Sequence, residues 1–271
     1  MIKYKICIVT PFHKNSLNNY EKLSLKSINK NFNKEKKFLI TFKENKIDIQ
    51  GYENIFFDKK FFLNIRTYTL LCNSLEFYKR FKEFEYILIC HFDVLVLRNN
   101  LKDYMNHNLS YIGALAGKKN LFDRNRKKLW ALRFFCNGGF SLRKVNDFIK
   151  VLESSNILFP FNYYTLYECS KSGYFNFIIL LIKTISQNIQ HKGEFFAHNL
   201  KLHEDTFWSY FATIFYKKYK LPSIREANNF SFDGDPNFFY KKNNLKLPMA
   251  LHGHYNYIDF LKKIGKEELI K

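Results

Sequence analysis

The run Tyr86-Ile-Leu-Ile-Cys-His-Phe-Asp-Val-Leu-Val-Leu97 sets a carboxylate, Asp93, inside a stretch that is otherwise almost wholly apolar. A continuous apolar run of this kind predicts a central strand covered on both faces of a mainly parallel sheet. An unpaired carboxylate is costly to bury there, so Asp93 requires a partner. The carboxyl end of such a strand is where open α/β sheets bind ligands. An Asp that caps a turn, or one paired with an interior Lys, would meet the same demand.

The flanking sequence alternates strand and helix patterns. Lys5 to Thr10 is a β run that stops at Pro11, and Asn15 to Phe32 carries Leu17, Tyr20, Leu23 and Ile28 at roughly helical spacing. Strands are expected at Lys37 to Thr41 and Asn54 to Phe57, with a helix from about Phe62 to Phe81. Tyr111 to Ala114 reads as a short strand and Lys118 to Lys128 as a basic loop. Asn137 to Arg143 reads as a turn leading into a helix with Val145, Phe148, Ile149 and Leu152 on one face. A further helix opens at His203 with Phe207, Trp208, Phe211 and Phe215 inward, and Ala227 to Tyr257 is loop-rich with short β pieces. The expected fold is α/β, a mixed and mainly parallel sheet flanked by helices. The 271 residues show no repeat and no linker, so residues 1–271 are read as one domain.

Lys and Arg number 44 against 24 Asp and Glu, a net charge of +20 that suggests an anionic partner. A nucleic-acid-binding protein is the main rival reading, and it predicts basic residues gathered along one groove. The lysines instead run through nearly every segment, the pattern of an AT-rich coding bias that also favours Asn, Ile and Phe, and no nucleic-acid partner is expected. The five cysteines, Cys7, Cys72, Cys90, Cys136 and Cys169, show no paired spacing and read as reduced thiols of a cytoplasmic protein. The N-terminus lacks a secretory pattern, and the longest apolar run, Tyr174 to Ile182, is far below the roughly 20 residues of a membrane-spanning helix.

Several residues could carry chemistry. His91 lies two positions before Asp93, on the same face if the strand is regular, and the two make half a site for a divalent cation. His252, beside Gly253, could complete octahedral Mn²⁺ or Mg²⁺ coordination from a remote segment. Glu204 and Asp205 stand in a first helical turn, which the helix dipole favours whatever the function, and one of them could act as a general base. Asn137-Gly138-Gly139 suits a tight turn where a ligand meets backbone. Gly113 to Lys119 has the wrong spacing for a phosphate-binding P-loop, and GxGxxG, GxSxG and zinc-site patterns are absent.

Taken in order, these pieces resemble GT-A glycosyltransferases, whose central strand ends in Asp-x-Asp; His91 takes the first Asp position and Asp93 the second. More narrowly they resemble a glycosyltransferase-like family catalogued as domain of unknown function 5672. The likeness runs through that strand, Tyr111-Ile-Gly-Ala, Asn137-Gly-Gly-Phe-Ser-Leu-Arg-Lys, Glu204-Asp-Thr-Phe-Trp-Ser, Ala227-Asn-Asn-Phe-Ser-Phe-Asp and Leu247-Pro-Met-Ala-Leu-His-Gly. It implies a GT-A-like fold and transfer of a hexosyl-type sugar from a nucleotide-sugar donor to a saccharide or glycolipid acceptor, as in surface polysaccharide or lipooligosaccharide synthesis.

By that resemblance Asp93 and His252 hold the metal on the donor diphosphate. His91 either joins them or contacts ribose or phosphate. Thr10, Pro11 and Phe12 hold the base and ribose; apart from the resemblance, Arg66, near the start of its helix, could add a phosphate contact. Asp205 is the inverting base, with Glu204 positioning the acceptor or the base. A scaffold that has kept this sheet without catalysis is a third reading, and His91 in place of an acidic residue favours it. Residues 155–195 look like an aromatic and basic insertion that could dock on an anionic membrane, which makes the protein peripheral on the inner face of the cytoplasmic membrane.

Overall fold

In the computed structural model, which describes residues 5–45, 47–115, 136–154, 192–199 and 203–270, nine strands join into one sheet. They are β1 (Ile6–Pro11), β2 (Lys36–Thr41), β3 (Glu53–Phe56), β4 (Tyr86–Cys90), β5 (Val94–Val96), β6 (Tyr111–Leu115), β7 (Cys136–Lys144), β8 (Ser231–Asp233) and β9 (Ala250–His252). Their spatial order is β3-β2-β1-β4-β7-β6-β8-β9-β5. The pairs β1–β2, β1–β4, β2–β3, β6–β8 and β8–β9 are parallel, whereas β4–β7, β6–β7 and β5–β9 are antiparallel. The sheet is thus mixed and mainly parallel, with helices against it.

Strand alternation explains where the core sits. Cys7, Val9, Ile87 and Ile89 face one apolar cluster that contains Leu71, Phe77, Tyr78, Phe148 and Trp208. Ile8, Tyr86, Leu88 and Cys90 face the other, with Ile28, Phe32, Phe140 and Leu142. β4 is therefore covered on both sides, as its composition requires.

The apolar run 86–97 is nevertheless two strands. β4 ends at Cys90, the Val94 amide donates to the His91 carbonyl at 3.1 Å, and β5 then pairs with β9 at the far edge of the sheet. Both strands are buried, and hydropathy records burial without recording a change of direction. The expected helix over 62–81 is likewise divided. A 3₁₀ turn spans Lys59–Phe62, Asn64 caps a helix over Ile65–Cys72 through a capping box, and Ser74 caps another over Leu75–Arg80.

Asn137 to Arg143 belongs to β7 rather than to a turn. Opposite Gly113 and Ala114 the register jumps from Ser141 to Asn137, which leaves Gly138, Gly139 and Phe140 as a bulge. The first helix starts at Asn19, where an Asn18/Glu21 capping box fixes it, and the helix after β7 spans Val145–Glu153 with Val145, Phe148 and Leu152 buried. The segment from Glu204 has a π-helical turn at Phe207–Phe211 between α-helical pieces, and Phe207, Trp208 and Phe211 are buried as expected. The tail is more helical than expected, with helices at Ile224–Phe230, Pro236–Lys242 and Ile258–Lys263. The loop 118–128 and residues 155–191 of the expected insertion lie outside the described residues. Among the described residues no helix is long and apolar enough to cross a membrane.

Candidate active site

The link His91-Phe92-Asp93 leaves the middle of the sheet at β4 and enters its edge at β5, so its side chains sit where strand ends converge. His252, the last residue of β9, is the register partner of Val94 on β5. One ligand atom from each of His91, Asp93 and His252 falls within 4.8 Å of the others. Asp93 Oδ1 is 3.5 Å from His252 Nε2, and it is buried with no hydrogen-bond partner. An unsatisfied buried carboxylate oxygen facing imidazoles fits a divalent cation by the chemistry of its donors.

Two residues that sequence reasoning missed hold this cluster. Asp233, from β8, accepts from His252 Nδ1 at 3.3 Å, which leaves Nε2 turned toward Asp93, the arrangement by which a carboxylate orients a metal-binding imidazole. His254 donates both its backbone amide, at 3.0 Å, and its Nδ1, at 2.9 Å, to the Asp93 carbonyl. Burial lowers the His91 pKa to about 4 despite the charge of Asp93, so that ring is neutral. Burial also acts to lower His252, but the hydrogen bond to Asp233 and the charges of Asp93, Asp233 and Asp205 outweigh it and raise the pKa.

Glu204 and Asp205 lie across the site from this cluster. Glu204 is buried, and its Oε1 accepts from Arg143 Nη2 at 2.9 Å. Arg143 is itself fully buried and also donates to Ser141 Oγ and to the Tyr78 hydroxyl, each at 2.9 Å. A buried guanidinium needs this set of acceptors. Asp205 Oδ1 accepts from the Thr206 amide at 2.7 Å; burial first, and then the charge of Glu204, push its pKa up to about 8.

The β7 bulge brings the two groups together. A Cβ on Gly138 would collide with Glu204 Oε1, and one on Gly139 with the His252 imidazole. The paired glycines thus make room for these two side chains, and both also line the smaller of two cavities at the site. Asn137 Oδ1 accepts from the Gly139 amide at 2.7 Å and the His91 amide donates to the Gly139 carbonyl at 3.0 Å, which fixes the bulge.

Two cavities share His91 and Asp93 as a common wall. The larger, about 520 Å³, is lined by Pro11, Phe12 and Phe92 as well as by Asn18, Glu21 and Tyr68. The smaller, about 220 Å³, is lined by Asn137, Gly138, Gly139, Glu204, Asp205 and His252. Phe12 packs edge-on against Phe92 with centroids 5.3 Å apart. Thr10 is fully buried and lines neither cavity, and Arg66 is exposed on the first turn of its helix and also lines neither.

A family model described as a protein of unknown function, DUF5672, matches residues 51–252, most of the chain and every residue of the cation cluster. The chain belongs to DUF5672. No curated protein matches it. Solved structures similar to this DUF5672 chain include the galactosyltransferase LgtC in complex with donor and acceptor sugar analogs, at 13% identity and a TM-score of 0.42, covering 90% of this chain and 86% of that one. Mouse xyloside xylosyltransferase 1 in its apo form is similar at 10% identity and a TM-score of 0.45, with 93% and 98% covered. The glycosyltransferase GlyE of Streptococcus pneumoniae TIGR4 is similar at 15% identity and a TM-score of 0.43, with 92% of this chain and 54% of that chain covered. Nothing functional rests on likenesses of this size.

Proposed function

We propose that this DUF5672 chain, acting as one GT-A-like unit, is an inverting glycosyltransferase of the hexosyl type that uses Mn²⁺ or Mg²⁺. One observation carries the reading: the His91–Asp93–His252 cluster, with its unpartnered Asp93 Oδ1, stands at the junction of two cavities, and the smaller cavity is lined by a carboxylate pair. A nucleotide-sugar donor occupies the larger cavity against Pro11 and Phe12, with its diphosphate toward Asp93 and His252. His91 either completes the cation site or contacts ribose or phosphate, with the Tyr68 hydroxyl 3.2 Å from its Nε2. The cation, when bound, supplies positive charge to the departing diphosphate.

The acceptor hydroxyl enters the smaller cavity, and Asp205 removes its proton. A carboxylate with a pKa near 8 is a stronger base than an ordinary Asp. Glu204, held by Arg143, orients the acceptor through the oxygen that Arg143 leaves free. The acceptor is a saccharide or a lipid-linked saccharide, and the protein works in the cytoplasm or at the inner face of its membrane. Exposed Tyr20, Leu63, Ile65 and Tyr255 line the larger cavity and support a substrate with an apolar part.

The test is to incubate the protein with a panel of nucleotide sugars and Mn²⁺ or Mg²⁺, with and without chelator. Release of nucleoside diphosphate from one donor class, stopped by chelator, is expected; no release from any donor with either cation overturns the reading.

A further inference from the structure

The two cavities at the site have four lining residues in common, His91 and Asp93 of the cation cluster and Ile65 and Tyr68 of the helix Ile65–Cys72. Ile65 and Tyr68 are one turn apart and share a face of that helix. Ile65 is 61% exposed and lies toward solvent, whereas Tyr68 is half-buried and reaches the cluster itself. Its hydroxyl is 3.2 Å from His91 Nε2, and its ring meets the His91 imidazole edge-on with centroids 5.7 Å apart. An aromatic ring thus bounds the place where the two cavities adjoin.

Tyr68 is held at both ends. Its backbone amide donates to the Asn64 carbonyl at 3.0 Å, and the Asn64 side chain caps the same turn by accepting from the Arg66 and Thr67 amides at 3.0 and 3.1 Å. At the other end His91, the partner of the hydroxyl, is tied to the β7 bulge through the bond from its amide to the Gly139 carbonyl. The phenol cannot swing away from the boundary without giving up its hydrogen bond to His91. Its ring therefore occupies a set volume there and does not yield to a ligand.

With the nucleotide in the larger cavity and the acceptor in the smaller, the sugar that changes hands lies where the two adjoin, against Tyr68. Resting on that reading of the chain as a glycosyltransferase, we propose that Tyr68 determines the donor sugar: its ring admits an unsubstituted hexosyl group and excludes an N-acetylhexosaminyl group. An N-acetyl group puts a bulky amide where a hexose has a hydroxyl, and a fixed wall rejects the added bulk by overlap. One methylene too many or too few in a pocket already discriminates about 10–200-fold. The selectivity lies in the ring, because the hydroxyl is engaged with His91.

Kinetics on matched donors test the proposal. The glucose and N-acetylglucosamine conjugates, and the galactose and N-acetylgalactosamine conjugates, of uridine, thymidine and guanosine diphosphate are given to the full chain with Mn²⁺, and kcat/KM for release of the nucleoside diphosphate is compared within each pair. A preference for the hexose of at least tenfold is expected in the wild type. Tyr68→Ala should bring it below about threefold by raising the rate on the N-acetylated donor, whereas Tyr68→Phe, which keeps the ring, should retain at least about fivefold. If Tyr68→Ala does not give a cooperative thermal melt, Tyr68→Leu takes its place, since it shortens the wall and keeps it apolar. A wild type that takes both members of a pair equally, an unchanged preference in the shortened variant, or a preference lost in Tyr68→Phe overturns this inference alone. A wild type that cleaves none of these donors overturns the glycosyltransferase reading and this inference with it.

Discussion

The two halves of the site are built to opposite rules. Around Glu204 the protein pairs its charge: a fully buried Arg143 meets Glu204, Ser141 and Tyr78, each at 2.9 Å, and only the second Glu204 oxygen, Oε2, stays without a partner. Around Asp93 no Arg or Lys among the described residues pairs with the carboxylate; its Oδ1 is buried without a hydrogen-bond partner, and the nearest imidazole nitrogen is 3.5 Å away. A finished pair contributes to stability and fixed geometry, whereas an unfinished cluster holds back interaction energy that a ligand can recover. Loss of a residue from the first half should therefore be felt in folding, and loss from the second in binding and rate.

The largest effect is expected at Arg143. Arg143→Ala strands the Glu204 carboxylate in the interior and should cost about 3–5 kcal/mol in denaturant unfolding, with Arg143→Met/Glu204→Leu restoring most of it. A single variant as stable as wild type would erase the contrast. Next is Asp93→Asn, which should lower the cation-dependent rate about 10²–10³-fold while leaving stability within about 0.5 kcal/mol. Full retention of donor cleavage would remove Asp93 from the reaction.

Gly139→Ala sharpens the comparison, because its Cβ meets His252 whereas that of Gly138→Ala meets Glu204. Mn²⁺ affinity by electron paramagnetic resonance should weaken about 10–100-fold in Gly139→Ala. Gly138→Ala should leave Mn²⁺ affinity near wild type, and equal losses would show that the halves are not separable.

The smallest effect is expected at Asp205. Its pKa rises from 3.8 to about 8, so the folded state holds the proton more tightly than the unfolded chain and stability falls as pH climbs between those values. Asp205→Asn escapes that fall, and its advantage in Tm should grow as pH rises across the window toward about 8. The same titration should make transfer rise with pH toward about 8 in the wild type. A Tm difference that does not change with pH would mean that Asp205 is not strained.

How much of this was readable from the chain follows from what each pattern reports. The apolar stretch 86–97 announced burial on both faces, and the odd carboxylate within it marked the site, but no Gly or Pro signals the turn at His91. That His91, Asp93 and His252 share one point depends on β5 pairing with β9, a contact between distant segments that periodicity does not encode. The break in the expected helix at 62–81 was legible, since Asn64 and Ser74 are strong capping residues.

Arg143 gives a weaker signal than Asp93, because Lys144 follows it and Ser141 lies two residues before it, so that its charge does not stand out from an apolar run. Asp233 and His254 were less accessible. Each acts by touching a residue of the site rather than by standing in a pattern of its own.

The connection from β4 to β5 has a mechanical side. Three residues, His91 to Asp93, join strands that have β7, β6, β8 and β9 between them in hydrogen-bonding order. The sheet must curl so that its middle and its margin nearly touch, and the short link is the seam. An ion clasped by His91, Asp93 and His252 would stitch that seam from inside, so cation occupancy should bind the middle of the sheet and its β5 margin into one cooperative melting unit.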